Sequence, residues 1–168
     1  QATELKEPAQ IKSLEDQRKT CVNIQKIPDI ECKEIKNLGI TQVTYDKRTE
    51  HISSAAGNYV KTQYEILKQE HSPDDFTNVL DIGANIGSFS MTAVGLGLNV
   101  HAFEPFPENT KRLRLSVFVN GAENYVTIHE HGLGFERSAL MLFTNPTNKV
   151  LKSDGIVVSG VEDPIIKE

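Results

Sequence analysis

One joint in the sequence constrains the fold more than any other feature. Asn78-Val79-Leu80-Asp81-Ile82 is a short apolar run with β-branched residues, closed by Gly83. A run of that length bounded by glycine reads as a buried strand. Ile86, Phe89, Ala93 and Leu96 then recur on one face of a helix over 86–96. Strand, glycine turn and helix therefore follow one another within twenty residues. Gly83 permits a sharp turn and close approach of a ligand to the backbone. Asn85 tolerates a left-handed conformation better than most residues. Gly87 lets the helix start close to the strand.

The pattern repeats on both sides. Tyr59, Val60, Gln63, Tyr64 and Leu67 predict an amphipathic helix over 57–70, broken by Ser72-Pro73-Asp74-Asp75. Gly95 and Gly97 end the helix after the joint, and Asn99 to Phe103 is a second strand. Pro107 opens a helix that continues through Thr110 to Val119 and stops at Asn120-Gly121. Tyr125 to His129 is a third strand and Ala139 to Phe143 a fourth, followed by the loop Asn145-Pro146-Thr147-Asn148. Strand–helix alternation with short connections gives an α/β domain: right-handed crossovers, a parallel sheet and helices on both faces. Ligands bind such sheets beyond the carboxyl ends of the strands.

Residues 1–52 differ. They are polar, rich in Lys, Glu and Gln, and weakly periodic. Leu5, Ile11 and Leu14 mark one amphipathic helix that Pro8 breaks or delays, and Pro28 and Asn37-Leu38-Gly39 are turn signals. This stretch reads as a polar, helical N-terminal extension packed loosely on a domain spanning 53–168. The whole chain, 168 residues, suits one domain of ordinary size. With 18 basic and 23 acidic residues its net charge is −5, which offers no general attraction to nucleic acid or anionic lipid. No stretch approaches the ~20 apolar residues of a membrane span. Residue 1 is Gln rather than Met, as expected of a processed chain or part of a longer one. Cys21 and Cys32 either pair, which suits a secreted or luminal protein, or remain two reduced thiols in the cytosol.

The second strand ends in Phe103-Glu104-Pro105, with Glu104 17 residues after Gly87. That is near the spacing at which a carboxylate holds ribose hydroxyls, and its two oxygens can accept from two vicinal hydroxyls. The glycine spacing is GxxxG, lacking the middle glycine of a dinucleotide fingerprint. Asp81, the glycine turn and Glu104 together point to an adenosine-containing ligand without a cradled phosphate, S-adenosylmethionine rather than NAD.

Over residues 57–145 the chain resembles FkbM-type methyltransferases of the class I, Rossmann-like fold. The resemblance rests on Asp81-Ile82-Gly83-Ala84-Asn85-Ile86-Gly87, on Phe103-Glu104-Pro105 with Pro107-Glu108-Asn109, on Asn120-Gly121, on Gly132-Leu133-Gly134 and on Tyr64-Glu65 upstream. It implies S-adenosylmethionine as cofactor. Gly83, Ala84, Asn85 and Gly87 would line its methionine end, with Asp81 orienting that loop or reaching the amino group, directly or through water, and Glu65 approaching the methionine moiety. Glu104 would hold the ribose, and Gly132 and Leu133 would lie by the adenine. Two departures stand out. Phe135 occupies the place of an aspartate that often follows the Gly-Leu-Gly word, and the family's later Asp-x-Glu-Gly phrase is absent. The resemblance thus implies the cofactor half of the sheet, stopping before the fourth central strand and leaving the Val79–Ile82 strand as an open edge.

The expected reaction is methyl transfer to a hydroxyl of a small molecule or glycan, with no catalytic base assigned. Two alternatives remain: a non-enzymatic or degenerate half that binds a partner or a second copy through the open edge, and a nicotinamide-dependent oxidoreductase. Other residues carry less. His129 and His131 share one side of a strand with Glu130 opposite, but spacing supplies no third metal ligand, so no metal is expected. His101 and Asp81 form a conceivable acid–base pair that nothing requires. Lys111, Arg112 and Arg114 read as a solvated basic face.

Overall fold

The computed structural model of the chain describes residues 10–45, 50–70, 77–133, 141–144 and 155–158. Three parallel strands form the central sheet: β3 (Asn78–Ile82), β4 (Asn99–Phe103) and β5 (Val126–His129), in the order β3-β4-β5. Val79 pairs with Val100 and Val100 with Val126, so the strands run in step. Helices α3 (Ser88–Gly95) and α4 (Pro107–Asn120) make the two crossovers. Consecutive right-handed crossovers between adjacent strands put both helices on one face. That face carries Val79, Asp81, Val100, Ala102, Val126 and Ile128, and the core forms there with Met91, Val94, Leu113 and Val117. The half-sheet matches the sequence expectation closely, with β3 and β4 over the predicted residues and β5 beginning one residue later.

The expectation of helices on both faces is met on one face among the described residues. On the other, Leu80 and Ile82 are 66% and 65% exposed. There the rings of His101, His129 and Phe103 stack, with centroids 5.5 Å apart for the two histidines and 4.3 Å for Phe103 and His129. The extended run near residue 140 is strand β6 (Met141–Thr144), beginning two residues and ending one residue later than the predicted Ala139–Phe143. It pairs antiparallel with β7 (Gly155–Val158) in a sheet of its own instead of joining the central one.

The N-terminal segment is not a loosely packed leader. Helix α1 (Leu14–Ile24) leads into a hairpin of β1 (Glu31–Ile35) and β2 (Ile40–Thr44), joined by the 3-10 turn Lys36–Leu38. Every residue of β2 is buried, polar ones included. A polar strand can be buried when its groups are paired, and here helix α4 supplies the partners. The Thr41 N–H donates to Asn120 Oδ1 (2.9 Å), Asn120 Nδ2 donates to the Thr41 carbonyl (2.6 Å), and the Val43 N–H donates to Ser116 Oγ (2.8 Å). Gln17 of α1, fully buried, accepts from Thr41 Oγ1 (2.7 Å) and donates to the Gly39 and Lys12 carbonyls (2.8 Å each). Cys21 and Cys32 form a disulfide between α1 and β1, beside a second small core of Ile24, Ile30, Val43 and Val119. Helix α2 (Glu50–Glu70) packs on α3 and runs through position 52/53, the boundary expected between extension and domain. No described helix is long and apolar enough to cross a membrane.

Candidate functional site

The carboxyl ends of β3 and β4 lie side by side, and the site is built from the turns that leave them. The β3 turn is fastened to β4: the Gly83 and Ala84 N–H groups both donate to the Phe103 carbonyl, at 2.9 and 3.0 Å. Gly83 has φ +79° and Asn85 φ +54°. Asn85 is the one non-glycine in the turn at a left-handed conformation, and its side chain stabilises it by accepting from the Ile86 N–H at 2.7 Å. A Cβ built on Gly83 would meet no atom of the described residues within 4 Å, so among them the turn opens onto free space there. Gly87 is the opposite case. It caps α3 at φ +89°, and a Cβ there would fall 2.4 Å from Leu113 Cδ1 of α4. What needs glycine at 87 is the close approach of α4, rather than of the strand.

Glu104 follows β4 and is 6% exposed. Its Oε2 accepts from the Asn85 N–H (2.8 Å) and its Oε1 from the Phe106 N–H (2.9 Å) and from Asn109 Nδ2 (3.3 Å). The carboxylate thus ties the β3 turn to the start of α4. Asp81 is buried on the core side of β3 and accepts from Ser90 Oγ of α3 at 2.5 Å. Burial raises its carboxyl above the ordinary aspartate range and the charge of Glu104 adds to this, while the Ser90 hydroxyl and N–H oppose it.

The Methyltransferase FkbM domain model matches residues 81–165, half of the chain. The chain belongs to the FkbM methyltransferase family. No curated protein matches it. Among solved structures it is similar to a Pyrococcus horikoshii protein classed as a transferase, at 16% identity and TM-score 0.44, over 62% of this chain and 37% of that one. It is similar to P. horikoshii TYW2 in complex with MeSAdo, at 13% identity and TM-score 0.44, over 70% and 48%. An Agrobacterium tumefaciens SAM-dependent methyltransferase is similar at 13% identity and TM-score 0.41, over 61% and 32%. The chain spans about a third to a half of the length of these structures.

The FkbM family implies S-adenosylmethionine, and the residues present fit its adenosyl group. The open space at Gly83 admits a ligand against the backbone, and Glu104 beside it is an acceptor suited to hydroxyls. No lysine or arginine occurs in residues 83–89 or 103–106, where a pyrophosphate would call for positive charge.

The structure brings together Asp81, Gly83, Ala84, Asn85, Gly87 and Glu104 at one strand end. Gly132 and Leu133 follow β5 and are exposed. Glu65 stands apart: it is half exposed on α2, 3.9 Å from Lys68, and no described contact joins it to the turn. Asp81 and His101 lie on opposite faces of the sheet, and His101 Nδ1 instead faces His129 Nε2 at 3.3 Å. Among the described residues no group of three His, Cys, Asp or Glu side chains is arranged to hold a metal. Arg112 is a correction to the solvated basic face. It is 4% exposed and donates to the Glu108 carbonyl (2.8 Å), to the Glu108 carboxylate (3.2 Å) and to the Asp29 carbonyl (3.1 Å). Arg114 is solvated and paired with Glu130. Sequence reasoning gave no role to Ser90, Asn109 or Tyr45. Asn109 was within reach of it, as the third residue of Pro107-Glu108-Asn109. Tyr45 lies 59 residues before Glu104, and no local pattern links the two.

Proposed function

We propose that this chain carries the S-adenosylmethionine site of a methyltransferase acting on a hydroxyl oxygen of a small molecule or glycan. The observation that carries the reading is the buried Glu104 carboxylate held against the Asn85 N–H, beside a Gly83 turn open to a ligand. Glu104 would hold the ribose, and Gly83, Ala84, Asn85 and Gly87 would line the methionine end. Asp81, locked to Ser90, would keep the turn in place. When bound, S-adenosylmethionine supplies an electrophilic methyl group. The residues of this chain hold and orient that group, which is where much of the acceleration of such a transfer arises. The choice of a hydroxyl acceptor follows from the family resemblance, and no general base is assigned.

The test is calorimetric titration of the chain with S-adenosylhomocysteine, with NADH as the competing ligand. Binding is expected to weaken by about ten- to a hundredfold in Glu104→Gln, the range for a hydrogen bond to a charged group. Failure of the folded chain to bind, or unchanged binding in that variant, rejects the reading. Displacement by NADH would favour an oxidoreductase.

A second reading is favoured by β3 itself. Its Leu80 and Ile82 are exposed, and among the described strands it pairs only with β4. Such an edge suits pairing with a second copy of the chain. Sedimentation showing a concentration-dependent dimer that Leu80→Lys abolishes, with no nucleoside binding, would support it over the first.

A further inference from the structure

Glu104 is held from one side by a chain of side chains that begins in the N-terminal hairpin. Tyr45 directly follows β2, and its Oη donates to Asn109 Oδ1 at 2.7 Å. Asn109 is buried at the first turn of α4, and its Nδ2 donates to Glu104 Oε1 at 3.3 Å. The sense of these bonds is fixed by chemistry. An ionised carboxylate only accepts, so the amide must turn its NH2 toward Glu104 and its oxygen toward Tyr45. Tyr45, in turn, must donate. Removing its hydroxyl takes away the donor that sets the amide oxygen toward Tyr45 and so the NH2 toward Glu104.

The ring that carries this hydroxyl is itself clamped. The Arg112 guanidinium carbon lies 3.4 Å from the centre of the Tyr45 ring. Arg112 is held in place by the carbonyls of Glu108 and of Asp29, the latter in the loop before β1. Burial pushes the Tyr45 phenol up, with Arg112 opposing, so the hydroxyl keeps its proton at neutral pH. The tyrosine is therefore a rigid donor aimed at Asn109.

We propose that Tyr45 and Asn109 are positioning residues for Glu104, and that the N-terminal hairpin is thereby a working part of the nucleoside site. The proposal rests on the reading that Glu104 receives the ribose. Oε2 keeps an accepting direction beyond the Asn85 N–H, whereas Oε1 already takes two donors. With Oε1 fixed, the carboxylate cannot rotate, and Oε2 is presented in one orientation.

The experiment compares two ligands by calorimetry, S-adenosylhomocysteine and its 2′,3′-dideoxy analogue, on the unaltered chain, on Tyr45→Phe and on Asn109→Ala. Tyr45→Phe keeps the ring on Arg112 and removes only the hydroxyl. It is expected to weaken S-adenosylhomocysteine roughly three- to tenfold, the range for one neutral hydrogen bond, and to leave the dideoxy analogue unchanged. Asn109→Ala is expected to do at least as much; should it fail to fold, Tyr45→Phe alone decides. Equal weakening of both ligands, or of neither, overturns the positioning role while leaving the methyltransferase reading intact. An unaltered chain that binds neither ligand overturns both.

Discussion

Replacing Gly87 by alanine separates two costs that the structure assigns to different atoms. The first is backbone. At φ +89° an L-residue is strained by about 1–2 kcal/mol. The second is packing. The new Cβ would fall 2.4 Å from Leu113 Cδ1, and Leu113 is fully buried between α3, the sheet and β2, so it cannot swing into solvent. Overpacking of this kind costs about 1–3 kcal/mol. Gly87→Ala is therefore expected to lose about 2–5 kcal/mol of stability. Gly83→Ala is the internal control. Its φ of +79° carries the same backbone cost, but its Cβ meets no atom of the described residues within 4 Å, so about 1–2 kcal/mol is expected. Urea unfolding followed by circular dichroism measures both. With an m-value of about 2 kcal/mol/M the two midpoints should differ by roughly 1 M. A double-mutant cycle sharpens the result: in a Leu113→Ala background the Gly87→Ala penalty should fall to the backbone cost alone. Equal losses at the two glycines, or a Gly87 penalty indifferent to Leu113, would refute the close-approach explanation. The two variants should also part on ligand. Gly83→Ala puts its methyl into the open space of the turn and is expected to weaken S-adenosylhomocysteine by more than its stability loss accounts for.

Three further outcomes are expected. Burial raises the folded-state pKa of Asp81, so the folded chain holds that proton more tightly than the unfolded one, and its contribution turns unfavourable as pH rises from the unfolded aspartate range through the raised folded value. The stability of Asp81→Asn relative to the unaltered chain should accordingly rise across that window and level off above it; a difference that is flat or falls with pH contradicts the burial argument. The Cys21–Cys32 bond closes a loop with a sequence separation of 11, so the Cys21→Ser/Cys32→Ser pair, or reductant, should cost about 3 kcal/mol in the chain-entropy model, read as a melting temperature lower by several degrees. An unchanged melt would mean that the hairpin is held by its buried contacts alone. Asn120→Ala strips both the donor and the acceptor that α4 gives to Thr41, and should cost about 2–4 kcal/mol in urea unfolding, more than truncation of exposed Asn124 on the turn after it.

Much of the central half-sheet was legible because its signals are local. A five-residue strand built on Val, Leu and Ile, a helix of fixed period and the glycines between them act over distances shorter than an element. The bounds of β3 and β4 and the left-handed Asn85 follow from that. So does the meeting of Asp81, the glycine turn and Glu104, since parallel strands in sequential order bring their carboxyl ends together. The family words lie on the same residues for the same reason.

The burial of the N-terminal segment is not legible in the sequence, because polarity does not by itself mean exposure. Thr41 and Gln42 would sit in water on composition alone; they are buried because Asn120 and Gln17 supply partners to Thr41 and Ser88 to Gln42, while Ser116 accepts from the Val43 N–H between them. Arg112 is buried for the same reason, its charge being met by two carbonyls, a carboxylate and an aromatic face.

By itself the sequence determined the elements of the half-sheet, their order and the strand end at which the Glu104 carboxylate stands, since periodicity and turn chemistry are written in neighbouring residues. The tertiary structure decided which polar groups are buried, why Gly87 admits no side chain, and that Tyr45 reaches Glu104 through Asn109. Each of these depends on a contact between segments far apart in the chain, and a hydrogen bond across 64 residues leaves no period in the sequence to be read.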